Sequence, residues 1–326
     1  MEVRNPELKI TTTDFGLLGN IAAMQYDSYQ VVKGWFGMNK TVRGSGFLET
    51  TFQKLIFANN KVVSEDGEDF RDPFRRDYLY DENSNLAEIK LFAEHPYTKE
   101  IREYDTTIFN YISERELEQK NYVGHDRNYS RIVFTLSDKV IEGMRYDESG
   151  NTTDKDEFAF DEKNILLSKT EYKIYRTHNP ASDSFAVMDF SHRFYLRGET
   201  DPGEEPIDSE EQLYIDKEYS DGEEYLTFKT VYVYDENEFL IEEIYYSDDS
   251  EQFKLIYHND NLGNPILIIN YEDEEVVDFQ KFEYKYDGHG NWTVRKEFEV
   301  EEWNKNNFMQ NKAALKYIVK RKFNYI

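Results

Sequence analysis

The sequence predicts an all-β protein, an extended coiled antiparallel sheet of repeated β-hairpins with one or two short helices. Three observations carry that expectation. The stretch 282–298 alternates apolar and polar residues with a period of two on both sides of Asp287-Gly288-His289-Gly290-Asn291, a run built from turn-forming residues. Weaker copies of this unit recur along the chain. Aromatic residues make up 16% of the composition, with 26 tyrosines, and aromatic side chains favour and shield sheet faces.

Taken in order, residues 1–13 read as a polar lead-in, and Leu17 to Asp27 opens the first strand. Gly34 to Gly46 is glycine-spaced and reads as loops. Phe47 to Phe57 and Lys61 to Val63 form a hairpin around Ala58-Asn59-Asn60, and Pro73 marks a turn. Tyr78 to Phe92 repeats the 282–298 pattern, as do Arg145 to Asn151 and Phe158 to Tyr172. Tyr111 to Gln119, rich in Glu and Leu, is the best helix candidate of the first half. Residues 198–212 form an acidic loop or linker with Pro202 and Pro206 inside it. The same repeat lies on both sides, so the whole of 1–326 reads as a single array. Tyr232 to Tyr246, Ile256 to Ile269 and the 282–298 unit follow densely. At the end, alternation over 315–325 suggests a closing strand, with a helix over 305–320 as the rival.

The motif in Tyr284, Tyr286, Asp287, Gly290, Asn291, Trp292 and Arg295 resembles the YD repeats of RHS-like bacterial proteins. It is closer to the degenerate YD-like repeat proteins common in Bacteroidota. Tyr234, Asp235 and Leu240, then Tyr80, Asp81, Asn85 and Leu86, and Tyr146, Asp147, Gly150 and Asn151 match in part. The resemblance implies a long coiled sheet of hairpins and leaves function open.

Composition bounds the chemistry. A formal net charge of −27 and a mean hydropathy of −0.82 describe a highly solvated surface that repels nucleic acid and anionic membrane. Without cysteine there is no thiol nucleophile, disulfide or thiolate metal site. No apolar run reaches membrane-spanning length as a helix. The six histidines His95, His125, His178, His192, His258 and His289 show no metal-ligand spacing, and turn formation explains the Gly-Asn pairs without calcium. No cofactor motif is present. With 66 acidic residues, inventory marks no glycosidase pair.

The expected function is therefore non-catalytic: binding of a basic protein partner through an acidic sheet surface, immunity- or inhibitor-like. A carbohydrate-binding surface or periplasmic protein is the second reading, and a glycoside-active enzyme the third. Candidate binding residues are Glu204, Glu205 and Asp208 in the acidic loop, and Trp35 and Trp303 as aromatic platforms. The N-terminus lacks an apolar signal region, which predicts a cytoplasmic protein; the alternative is periplasmic or surface-exposed, with a signal removed.

Overall fold

A computed structural model describes residues 3–33, 39–43, 50–69, 72–94, 100–123, 128–174, 224–247, 249–300 and 313–326. Among these residues there is no helix and there are nineteen strands. They are β1 (Ile21–Lys33), β2 (Asn39–Arg43), β3 (Thr50–Ala58), β4 (Lys61–Asp69), β5 (Asp72–Tyr80), β6 (Leu86–Glu94) and β7 (Ile101–Ser113). Then come β8 (Glu116–Val123), β9 (Asn128–Ser137), β10 (Val140–Tyr146), β11 (Thr152–Phe160), β12 (Leu166–Ile174) and β13 (Glu224–Tyr234). The last six are β14 (Leu240–Ser247), β15 (Ser250–Asn259), β16 (Pro265–Glu272), β17 (Glu275–Tyr286), β18 (Trp292–Val300) and β19 (Ala313–Tyr325).

Every pairing is antiparallel, and the sheet closes on itself. One edge of β1 pairs with β3 over Ala23–Asp27, and its other edge pairs with β19 over Ile21–Gln30. Eighteen strands thus form a ring, and β2 adds to the far half of β1 alone. This corrects the expected open, extended sheet. Hairpin alternation is the same in a strip and a barrel, and only the β1–β19 seam, between residues about 300 apart in sequence, distinguishes them. The long open sheet that the YD-repeat resemblance implied is corrected with it, since a closed barrel has no free strand edge. The helix expected over 111–119 is also overturned, as is the 313–320 part of the rival helix over 305–320, whose residues 305–312 lie outside the described residues. Residues 111–119 form the β7–β8 hairpin, with Tyr111 opposite Leu117, and 313–320 is the start of β19. β-Branched and aromatic residues paired across strands outweigh the helix propensity of single Glu, Leu and Ala residues. Residues 39–43, expected in a loop, are strand.

The recurrent turn is real and uniform. At Asp81, Asp147, Asp161, Asp235, Asp260 and Asp287, the backbone N–H of the Asp donates to the carbonyl four residues on, at 2.9–3.0 Å. The Asp Oδ1 accepts the returning N–H of that residue at 2.7–3.0 Å. The fourth residue of each turn has positive φ: Ser84, Gly150, Asn164, Glu238, Gly263 and Gly290. Five of these turns lie at one end of the barrel, and the 147–151 turn lies at the other.

Cross-strand register assigns the two faces. Met24, Leu55, Glu65 and Arg76 share one face, continued by Phe134, Ile141 and Phe158. Residues of the N-terminal segment, Val3, Leu8, Ile10, Phe15 and Leu17, pack on that face against β1, β3 to β12 and β19, so it is the interior. The expected polar lead-in is a plug. It is laced to the wall by Thr12 N–H to Asn60 O (3.0 Å), Val62 N–H to Ile10 O (2.8 Å), Asn5 Nδ2 to Gln119 Oε1 (3.0 Å) and Lys169 Nζ to Glu7 (2.6 Å). A ring of this strand number is too wide for wall side chains alone to fill, and the segment occupies the tight-turn end. At Gly143 the ring of Phe134 lies where a Cβ would sit, 2.9 Å away, so glycine there admits an interior aromatic.

Candidate functional site

The interior wall carries a cluster of ionic and aromatic side chains on β17, β18, β19 and β1. Alternation places Phe282, Tyr284 and Tyr286 of β17 inside. Arg295 and Glu297 of β18 stand opposite Tyr284 and Phe282, Arg321 of β19 opposite Tyr26 of β1, and Val319 opposite Ser28. The β-bulge at Lys285/Tyr286 sets Trp292 opposite Tyr286 on the same face.

Trp292 is at the centre and is 7% exposed. The Arg321 guanidinium carbon lies 3.6 Å from its ring centroid and that of Arg295 5.3 Å. The Tyr284 ring meets it edge-on at 6.0 Å and stacks with Tyr286 at 6.0 Å. Arg295 Nε and Nη2 both donate to Glu297 Oε1, at 3.0 and 2.6 Å. Tyr284 donates to Pro265 O at 2.9 Å, and Tyr286 donates to Asp260. Burial pushes the Tyr26 and Tyr284 hydroxyls up to about 12, because the phenolate would lose its water. Burial, then the like charge of Arg295, pushes Arg321 down to about 9.

A second interior group lies on β13–β15. Tyr232 faces Glu243, and Tyr245 and Tyr257 both hydrogen-bond the same carboxylate. Tyr245 also stacks on Phe253 at 4.2 Å. Other interior carboxylates are each held by donors. Glu65 accepts from Gln53 (2.8 Å), Arg76 (3.1 Å) and Tyr78 (2.8 Å), and Asp156 from Arg145 (2.8 Å). Two shallow clefts of about 440 and 730 Å³, at the 235–239 and 260–264 turns and beside Gly67, do not coincide with the Trp292 cluster.

The outer face is different. Its register rows read Gln25, Lys54, Asp66, Arg75 and, further round, Glu88, Ile108, Lys120, Arg131. Opposite charges pair there: Lys90 with Glu88 (3.5 Å) and Glu103 (3.6 Å), Glu118 with Lys120 (2.9 Å) and Arg131 (2.7 Å), and Lys296 with Glu283 (3.5 Å).

No family model and no curated protein matches the chain. Among solved structures it is similar to a porin-like protein from Bacteroides uniformis, at 11% identity and a TM-score of 0.41, over 94% of this chain and 99% of that one. It is also similar to a protein of unknown function from Bacteroides fragilis, at 14% identity and a TM-score of 0.28, over 31% of this chain and 81% of that one. At these scores neither says what the chain does.

Of the residues expected to bind, Glu204, Glu205, Asp208, Trp35 and Trp303 lie outside the described residues, as does the 198–212 loop. His258 sits on β15 opposite Leu267, and His289 stacks on Tyr325 at 4.0 Å in a turn. The sequence motif held Trp292 and Arg295 but not Arg321, which lay within the expected closing strand over 315–325. The alternation of Val319, Arg321 and Phe323 was the available signal that Arg321 points to the aromatic side of its strand.

Proposed function

We propose that the protein is a non-catalytic binding barrel standing in water at the cell envelope, which takes a carbohydrate ligand at its interior wall. The observation that carries this is the pair of partly exposed rings Tyr284 and Tyr286 on the lumen face, beside the buried Trp292 and two arginines. Sugar rings bind by stacking an apolar face on aromatics while their hydroxyls meet planar polar groups. Four tyrosines, Tyr232, Tyr245, Tyr257 and Tyr284, line the same interior with their hydroxyls beside carboxylates or carbonyls.

The outer wall argues against lipid. A membrane barrel presents an apolar band about 25 Å tall, and a Lys or Arg on that band costs about 2–4 kcal/mol at the midplane. Here Lys54, Asp66, Arg75, Glu118 and Lys120 are in mid-wall rows. The envelope is preferred to the cytoplasmic location expected from the N-terminus, because polymeric sugars for a wide lumen are met outside the cytoplasm. Catalysis is left out of the reading because each interior carboxylate named above is engaged by its own donors, with no free acid and base facing one another.

The basic-partner reading has less support, since its acidic residues Glu204, Glu205 and Asp208 lie outside the described residues and the net charge of −27 by itself marks no one face. The test is a glycan array with detergent-free full-length protein, followed by tryptophan-fluorescence titration. Saturable binding of a saccharide supports the proposal. Absence of any glycan binding, with a basic protein captured at a salt-dependent rate, overturns it.

A further inference from the structure

The Trp292 cluster contains a cation without a counter-ion. Among the described residues Arg321 makes no ion pair, and the groups acting on its charge are Arg295, Tyr26 and Tyr284. The carboxylate of Glu297 is taken up by Arg295, through both bonds to Oε1. Arg321 Nε, Tyr26 Oη and Glu297 Oε2 are buried with no partner. Yet Arg321 as a whole keeps partial exposure on the interior wall, as do Tyr284 and Tyr286. A desolvated guanidinium costs several kcal/mol unless an anion meets it, and a charge-assisted bond to a carboxylate is among the strongest available. Trp292 fixes Arg321 by stacking at 3.6 Å, which leaves the guanidinium edge as the binding element.

We infer that Arg321, backed by Arg295, receives the carboxylate of an acidic saccharide whose ring lies on the Tyr284–Tyr286 ladder. This rests on the carbohydrate reading and narrows it to uronic acid-type sugars. Two guanidinium groups stand against the one carboxylate of Glu297, which only Arg295 bonds, and the other carboxylate at the ladder, Asp260, accepts from Tyr286.

The experiment titrates full-length protein with an oligogalacturonate and with a neutral galactose oligomer of equal length, following tryptophan fluorescence and calorimetric heat. The acidic oligomer is expected to bind about 10- to 100-fold more tightly, and Arg321→Gln to abolish that preference while leaving weak binding of both. Arg321→Lys should restore part of it. Labelling of arginines with phenylglyoxal, read by mass spectrometry, should show Arg321 protected by the acidic oligomer; this readout needs no variant and stands if Arg321→Gln fails to fold. Equal binding of both oligomers, with no protection of Arg321, would overturn the acidic-sugar inference and leave the carbohydrate reading intact. Binding of neither would overturn both. Inorganic sulfate binding as tightly as the oligogalacturonate and protecting Arg321 equally would mean an adventitious ion only, and would overturn the inference too.

Discussion

Asn291 ties the N-terminal plug to the barrel, and Asn291→Ala should release it. The side chain is 3% exposed. Its Oδ1 accepts the Leu18 N–H at 2.8 Å, and its Nδ2 donates to Leu18 O at 2.6 Å and to Tyr325 Oη at 2.9 Å. Alanine removes all three bonds and keeps the backbone bond to Asp287. At about 1 kcal/mol per bond the loss is about 3 kcal/mol, and water reaching Leu18, which is 49% exposed, returns part of it, giving about 2 kcal/mol. The control is Asn151→Ala, whose side chain donates only to Asp147 in an otherwise matched turn, is exposed, and should cost under about 0.5 kcal/mol. Urea denaturation measures both, and hydrogen exchange at Leu17 and Leu18 should accelerate in Asn291→Ala alone. Equal destabilisation by the two variants, or unchanged exchange at Leu18, would refute the plug's attachment through Asn291.

Three further outcomes are expected. Trp292→Ala should destabilise by about 3–5 kcal/mol, since it removes a buried ring and the seat of Arg321; near-wild-type melting would show the ring is not packed as described. Gly290→Val should cost about 1–3 kcal/mol, because Gly290 has φ of 88° and an added Cβ would sit 3.2 Å from Leu18 Cδ1; an unchanged denaturation midpoint would count against that backbone conformation. Burial raises Tyr26, Tyr80, Tyr234 and Tyr284 from the usual 10.0 to about 12. Their folded values lie above the unfolded ones, so their contribution is complete below pH 10 and is lost as pH rises from about 10 to 12. Absorbance at the phenolate band should show a late-titrating tyrosine class that vanishes in denaturant; a single class near 10 would contradict it.

The strands and turns were legible because alternation and Asp-x-x-Gly-Asn chemistry are local. Glu238 and Asn164 stand at the positive-φ position where glycine was expected, and the Asp side chain holds those turns regardless. Closure was not legible, because β1 and β19 pair through ordinary residues such as Gln25 and Lys322 that carry no mark of their partner. The plug was missed for the same reason: Val3, Leu8 and Ile10 have no regular period, and only the ring around them gives them a core. Tyr111 to Gln119 misled by composition, since Ile112 and Leu117 suit either structure and the Glu114-Arg115 turn carries no Gly or Pro. In the site, Trp292 and Arg295 were visible as a motif, but Arg321 joins them only through the β18–β19 and β19–β1 pairings.

The claim on which the rest depends is that this sheet closes into a ring that holds in water. The chain has no cysteine, so one introduced at Gln25 can be paired in separate variants with Lys54→Cys on β3 and with Lys322→Cys on β19, its register partners on either side. In detergent-free buffer under mild oxidation, both variants should form an intramolecular disulfide at high yield. Formation of the Gln25→Cys/Lys54→Cys bond without the Gln25→Cys/Lys322→Cys bond would show an open sheet and contradict the barrel.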